Sequence, residues 1–452
     1  MSASPYAIRG AIEGFYGTFY TPREREDLVR WLGSQGFNLY VYGPKNDRHH
    51  RRIWREPYPA QFMAEFALVV AAGQAAGVDV AYALSPSEGL VYSGEEDFRH
   101  LTRKLRAFYD VGVRAFSIFF DDITPQFRDA RDRERYSGYG EAHADLCNRT
   151  LAWLQELDSG CSLSMCPTEY HGVPPFARYL QELGANLLPG IDVFYTGPGI
   201  CSATITAADA AAFGAVVGRA PLIWDNYPVN DLAMQPELHI GPIRGRDSVL
   251  YEAVRGVAAN LMLQPEASKI ALQTFAAYFH DPHGYEPEQA WAAALEAAGG
   301  EERAAALRLL AENSLRSYLG TAEAERFAAL VAGAVADLAA GARVAESAAV
   351  GELEAYLQAL DEACYYLRHY LRNLALRREI QPWSERLAQW QELGVVALGL
   401  LRAREARQRD EALLRRWRDV EADLTRGCKR IADEALAPLL GYVRVQVPEV
   451  AA

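Results

Sequence analysis

Ala115-Phe116-Ser117-Ile118-Phe119-Phe120-Asp121-Asp122 is an apolar run that stops abruptly on two adjacent acids. The run reads as a buried strand. Like charges on neighbouring residues repel, and burial makes each harder to ionise, so the pair carries a free-energy cost that folding alone does not require. A turn or helix cap, where Asp commonly sits, is the plain alternative. The surrounding chain has to decide between cap and chemistry.

Outward from this run the same texture recurs. Short β-branched or aromatic runs alternate with longer amphipathic segments at 6–14, 38–44, 78–86, 115–122, 162–170, 191–198, 221–228 and 254–262. About eight strands in roughly 280 residues, each followed by a helix, is the pattern of a (β/α)8 barrel, an α/β fold. The helices have recognisable ends. Thr21-Pro22-Arg23-Glu24 combines a capping pair with Pro at the first helical position, Leu28, Trp31 and Leu32 mark an apolar face, and Gly36 closes the segment. Segments 93–112 and 266–279 read the same way. A doubly wound open sheet is the competing fold, but no Gly-x-Gly-x-x-Gly follows the first strand, where GFYG stands at 14–17.

Beyond Pro287 strand-like alternation gives way to Ala, Leu, Glu and Arg, as in EALLRRWRDVEADL at 411–424. This reads as an all-α helical bundle. The expected division is a catalytic barrel over 1–285 and a helical domain over 286–452.

The 452 residues carry a formal net charge of −13, which argues against nucleic acid or an anionic membrane as partner. No apolar stretch reaches the roughly 20 residues that span a bilayer. Cys147, Cys161, Cys166, Cys201, Cys364 and Cys428 are scattered, without Cys-x-x-Cys or paired spacing, which fits a reducing compartment. The first residues lack a basic segment followed by an apolar core, so the expected location is cytoplasmic.

Nearly every strand candidate ends in polar or special residues: Glu13 and Gly14, Lys45 and Asp47, Ser85, Asp121 and Asp122, Thr168 to Tyr170, Thr196, Asp225 and Asn226, Asn260. In a barrel these termini converge on one mouth, where active sites lie, and the coincidence moves Asp121-Asp122 from cap towards catalysis. The histidines show no metal-ligand spacing, and His49-His50 sits between Arg48 and Arg51. No cofactor is implied. A Schiff base on Lys45 ranks below acid/base work by carboxylates. Glycoside hydrolysis uses two carboxyl groups, ordinarily ~5–5.5 Å apart in retaining enzymes and about 6.5–9.5 Å apart in inverting ones, flanking the scissile bond. Neighbours on one strand end do not easily flank a sugar. They can act from one side if a substrate N-acetyl carbonyl supplies the nucleophile and closes to an oxazoline; pairing Asp122 with Glu169 is the conventional alternative.

Seven motifs, RGAIEGFYG (9–17), YGPKNDRHHRRIWREPY (42–58), FFDDI (119–123), CPTEY (166–170), YTGP (195–198), WDNYPVND (224–231) and NLMLQPEASK (260–269), together resemble the β-N-acetylglucosaminidases of glycoside hydrolase family eighty-four, the O-GlcNAcase group. The resemblance covers the barrel, in order, and over the C-terminal third weakens to a helical domain after it. It implies a metal-free, retaining exo-β-N-acetylglucosaminidase acting on a β-GlcNAc-bearing glycoconjugate. By the same resemblance Asp121 orients the acetamide and Asp122 is the general acid, then base. Tyr170 would hydrogen-bond the acetamide oxygen and Asn226 brace that region. Gly10, through its carbonyl, Lys45, Asp231 and Asn260 would bind sugar hydroxyls, and Cys166, Ile200 and Trp224 would line the N-acetyl pocket. Cys166 as small core and Trp224 as barrel core are the bland alternatives. Asp225 reads as structural, because adjacent strand residues point opposite ways; Glu13 and Glu169 read as positioning or strand-end groups.

The chain departs from the family pattern at Gly43, where Ala is frequent, at Asn46, where a second Asp is common, and at Tyr195, where Trp is frequent. The helical domain is a candidate homodimer surface. The reading from another class is a sugar-recognising barrel with weak turnover whose helical domain binds a partner.

Overall fold

The computed structural model describes residues 4–86, 89–123, 126–301, 304–320 and 323–450. Eight parallel strands close into a barrel in sequence order: β1 (Ile8–Glu13), β2 (Leu39–Tyr42), β3 (Asp79–Leu84), β4 (Ala115–Phe119), β5 (Ser162–Cys166), β6 (Ile191–Tyr195), β7 (Leu222–Asp225) and β8 (Gly256–Asn260). β8 returns to β1 with Ala258 opposite Gly10 and Asn260 opposite Ile12. The (β/α)8 reading therefore holds, and each strand lies inside the run expected for it. The runs were longer because they included the residues that leave the strand for the mouth.

Period-two alternation sorts every strand into an inner and an outer face. Ile12, Val41, Ala81, Ala83, Phe119, Cys166, Phe194, Leu222, Trp224 and Ala258, drawn from all eight strands, form one buried cluster inside the barrel. Small residues on β3 and β8 offset Phe119, Phe194 and Trp224, whose rings meet at 5.1 to 6.0 Å. The outer face meets helices: Tyr82 stacks on Phe108 of α3 (Glu95–Asp110) and Tyr195 on Phe213 of α7 (Ala207–Val217). Two residues beyond Ile12, Ala83, Phe119, Phe194, Trp224 and Ala258 the same alternation delivers Gly14, Ser85, Asp121, Thr196, Asn226 and Asn260 to the mouth, and Lys45 stands four beyond Val41.

Helices α1 (Pro22–Ser34), α2 (Ala60–Ala76), α4 (Ala130–Arg135), α5 (Tyr139–Leu157), α6 (Arg178–Asn186) and α8 (Pro265–His280) also follow the strands. In α1 the Thr21 hydroxyl accepts from the Glu24 amide while the Glu24 carboxylate accepts from the Thr21 amide, the capping box legible in the sequence.

Two compact units emerge: Met1–Leu232, Ile243–Pro265 and Leu272–Pro287 form the first, and Ala233–Pro242, Glu266–Ala271 and Glu288–Ala452 the second. The second unit is helical: α9 (Pro287–Gly299), α10 (Ala304–Glu312), α11 (Glu325–Ala339), α12 (Ala348–His369), α13 (Leu374–Glu405), α14 (Glu411–Arg426) and α15 (Ala437–Gln446). Leu376, Ile380, Trp383 and Leu387 give α13 one buried stripe at helical spacing. Further along, Leu357 of α12 packs so closely on Gly394 that an added Cβ would stand 3.0 Å from it.

Candidate active site

β4 ends at Phe119, and the next turn is clamped to β5. The Phe120 amide donates to the Cys166 carbonyl at 2.9 Å, and the Thr168 hydroxyl donates to the Phe120 carbonyl at 2.9 Å. Phe120, on the outer side, stacks on His143 at 3.8 Å. Asp121 then continues the inner face of Phe119. Strict alternation would send Asp122 outward, but its φ of 53° is left-handed, strained for a non-glycine residue, and the turn brings its carboxylate to the mouth. Thr124, next in this loop, lies outside the described residues.

The two acids occupy different surroundings. Asp121 is 5% exposed; one oxygen pairs with Lys45 Nζ, and the other, Oδ1, is buried with no hydrogen-bond partner. Asp122 is exposed, accepting from the Tyr16 hydroxyl at 2.7 Å and the Tyr170 hydroxyl at 3.3 Å. Burial and the hydrogen bond to Asp122 push the Tyr16 hydroxyl up to about 12, and burial beside the two acids raises Tyr170 further. Both phenols therefore stay protonated as donors.

Lys45 is delivered by a braced loop. Its amide donates to the Phe15 carbonyl, and buried Asp47, two residues on, accepts from the Tyr42 and Tyr58 hydroxyls at 2.6 Å each. The ammonium lies 5.1 Å from the Phe119 ring and 5.3 Å from the Trp224 ring. Gly43 fits the same packing, since a Cβ there would come within 2.7 Å of the Phe119 ring. Asn46 is exposed.

On the opposite rim the amides form a chain. Asn226 Oδ1 accepts from Trp224 Nε1 and Asn260 Nδ2, each at 2.9 Å, its Nδ2 donates to the Ile200 carbonyl at 2.7 Å, and Asn260 Oδ1 accepts from the Gly14 amide at 3.2 Å. Asp231 accepts from the Tyr16 amide at 2.7 Å, and burial pushes its carboxyl above the usual carboxylate range against the pull of that amide and Lys45. Cys166 is buried in the interior cluster, and burial raises its thiol.

Asp121, Asp122, Lys45, Tyr170, Trp224, Asn226, Asp231 and Asn260 thus gather at one mouth. Ile200 joins through its carbonyl, with its side chain 52% exposed. Gly10 does not join: it is paired inside β1 opposite Leu39 and Ala258, and Gly14, four residues on along the same inner face, stands at the rim. The spacing rule that finds Gly14 is the alternation running through Ile12. A Cβ at Gly14 would lie 2.5 Å from the Trp224 ring, so the close approach requires glycine.

Other strand-end groups face away. Glu13 takes both Arg25 contacts at 2.8 and 2.9 Å together with the Tyr40 hydroxyl and the Tyr20 amide, and Asp225 is held by Arg246 at 2.6 and 2.7 Å. Glu169, by contrast, is exposed, three residues beyond the end of β5. Tyr195 lies on the outer face, its hydroxyl on the Gly172 carbonyl, so this departure is not a pocket wall. Tyr16 and Arg51 were not singled out from the sequence. Arg51 donates to the Tyr16 hydroxyl at 2.9 Å and to the Asp122 carbonyl at 3.3 Å.

Residues 9–312 match the family model described as beta-N-acetylglucosaminidase. The proteins named Protein O-GlcNAcase from Rattus norvegicus and Mus musculus are each 34% identical over 275 residues, 60% of this chain. The match spans only 30% of the length of either relative. Among solved structures, a mutant of the Thermobaculum terrenum O-GlcNAc hydrolase superposes with a TM-score of 0.89 at 32% identity, covering 99% of this chain and 96% of that one. The structure named CpGH84B follows with a TM-score of 0.84 at 27% identity, covering 97% and 77%.

Proposed function

Because the chain belongs to the β-N-acetylglucosaminidase family, we propose that it is a glycoside hydrolase, a retaining exo-β-N-acetylglucosaminidase of the O-GlcNAcase type. Its substrate is a glycoconjugate with terminal β-linked GlcNAc, including GlcNAc on Ser or Thr of proteins. The observation that carries this reading is the open Oδ1 of Asp121, a buried acceptor whose sister oxygen is already tied to Lys45. An acetamide N–H completes it.

In this reading the acetamide oxygen attacks the anomeric carbon as the glycosidic C–O bond breaks. Asp122 gives its proton to the leaving oxygen, while Asp121 holds the acetamide N–H. Asp122, now a carboxylate, takes a proton from water as that water attacks the anomeric carbon, and the acetamide is restored with retention. Tyr170 faces the acetamide oxygen, and Asn226 braces that side. Lys45, Asp231, Asn260 and the Gly14 rim take sugar hydroxyls, and Cys166, Trp224 and the Ile200 backbone bound the acetamide. We also infer a homodimer through the helical unit, supported by the exposed cluster of Tyr365, Tyr366 and Tyr370 at the end of α12; a monomer in sedimentation would contradict it.

The test is release from an aryl β-GlcNAc. Turnover unaffected by EDTA and an Asp122→Ala variant at least about a hundredfold slower are expected. Chelator-sensitive turnover, or an unimpaired variant, would overturn the reading. Tight binding of an oxazoline mimic without hydrolysis would favour the sugar-recognising barrel.

A further inference from the structure

A cavity of about 340 Å³ opens beside Asp122 among the loops that follow β2, β3 and β4, with Lys45, Arg51, Arg52, Tyr92 and Arg128 also on its wall. Tyr170, Trp224, Asn226, Asp231 and Asn260 do not line it. It meets the mouth at Asp122 and Lys45 and extends from there along the loops that follow β2, β3 and β4. If Asp122 protonates the leaving oxygen, the group attached to that oxygen leaves through a space that Asp122 borders.

Two of the cations on this wall have no carboxylate partner among the described residues, whereas Lys45 is paired with Asp121. Arg51 donates to two neutral acceptors, the Tyr16 hydroxyl and the Asp122 carbonyl, and has no carboxylate partner among the described residues. Arg128 is exposed and makes no ion pair among the described residues. The chain as a whole is at −13, so a cationic wall at this one place runs against the molecule's overall field. A guanidinium pairs with carboxylates through two parallel N–H donors, and Arg51 is already oriented by its two bonds.

We propose that this cavity is an aglycone subsite selecting leaving groups that carry a carboxylate. The inference rests on the hydrolase reading and adds the chemistry of the group released. It is tested with two aryl β-GlcNAc substrates whose phenols bear a 4-carboxylate or its neutral 4-carboxamide counterpart. The wild type is expected to favour the carboxylate in kcat/KM by about three- to fivefold at low ionic strength, the range of an exposed ion pair. The preference shrinks with added salt, and Arg128→Gln lowers it while leaving the carboxamide rate and the thermal midpoint unchanged. Equal rates on the two substrates, or a preference untouched by both salt and Arg128→Gln, would overturn the subsite. Turnover of neither glycoside would overturn the hydrolase reading and the inference with it.

Discussion

Lys45 holds one oxygen of the Asp121 carboxylate and leaves the other buried without a partner. The side chains are 3% and 7% exposed, so neither charge is rescued by water. The pair therefore fixes the orientation of Asp121 and keeps one acceptor for the substrate.

Replacing Lys45 by Met should both destabilise and inactivate. Removing one partner of a buried ion pair strands the other charge at a cost of about 3–5 kcal/mol. Denaturant unfolding should show a loss of that order, with turnover of an aryl β-GlcNAc close to background; unchanged stability would mean that Asp121 has another partner.

Tyr16→Phe tests a residue that motif reading passed over. The variant keeps the backbone bond to Asp231 and loses the 2.7 Å hydroxyl bond to Asp122. One hydrogen bond to a charged group corresponds to about tenfold in rate. A fall of that size in kcat with KM little changed is expected. An effect confined to KM would place Tyr16 in substrate binding alone.

Glu13→Gln separates strand-end structure from strand-end chemistry. Glu13 is fully buried and ties β1 to Arg25, Tyr20 and Tyr40, so losing its charge should cost about 3–5 kcal/mol. The folded fraction below the shifted midpoint should retain turnover near wild type. A stable but inactive variant would assign Glu13 a role in the reaction.

Acid stability should reflect two buried imidazoles. Burial holds His143, against Phe120, and His50 neutral down to about 3, from an ordinary value of 6.5. The unfolded chain takes up these protons first, so ν_U exceeds ν_N between those values and stability falls as pH drops. This contribution is complete above about 6.5 and is lost progressively towards 3. The thermal midpoint should decline from pH 7 to pH 4.5, and the decline should be shallower in a folded His143→Gln variant.

How much of this was legible follows from range. The barrel was readable because each strand carries its own apolar run, and most of the rim because Asp121, Asn226 and Asn260 follow an inner-face residue by two. The same rule points to Gly14 at the rim, whereas Gly10 came in with its motif and sits in the wall. Tyr16 was not readable: its hydroxyl reaches a carboxylate 106 residues away, and no local pattern encodes that contact. Nor was the left-handed turn at Asp122, which depends on the clamp between β4 and β5 and overrides the alternation that would have turned this acid outward. Arg51 enters the sequence reading only as a cationic neighbour of His49-His50, and the fold brings it to Tyr16.

The central claim is that two adjacent acids suffice because the substrate brings the nucleophile. The most direct measurement is kcat/KM over aryl glucosaminides bearing N-acetyl, N-fluoroacetyl, N-difluoroacetyl and N-trifluoroacetyl groups, in wild type and Asp121→Asn. Each fluorine weakens the carbonyl oxygen, so wild-type rates should fall steeply along the series, with Asp121→Asn slow even on the N-acetyl substrate while still binding it. Rates independent of fluorination, or equal on a substrate lacking the N-acyl group, would contradict the account and assign the nucleophile to the protein.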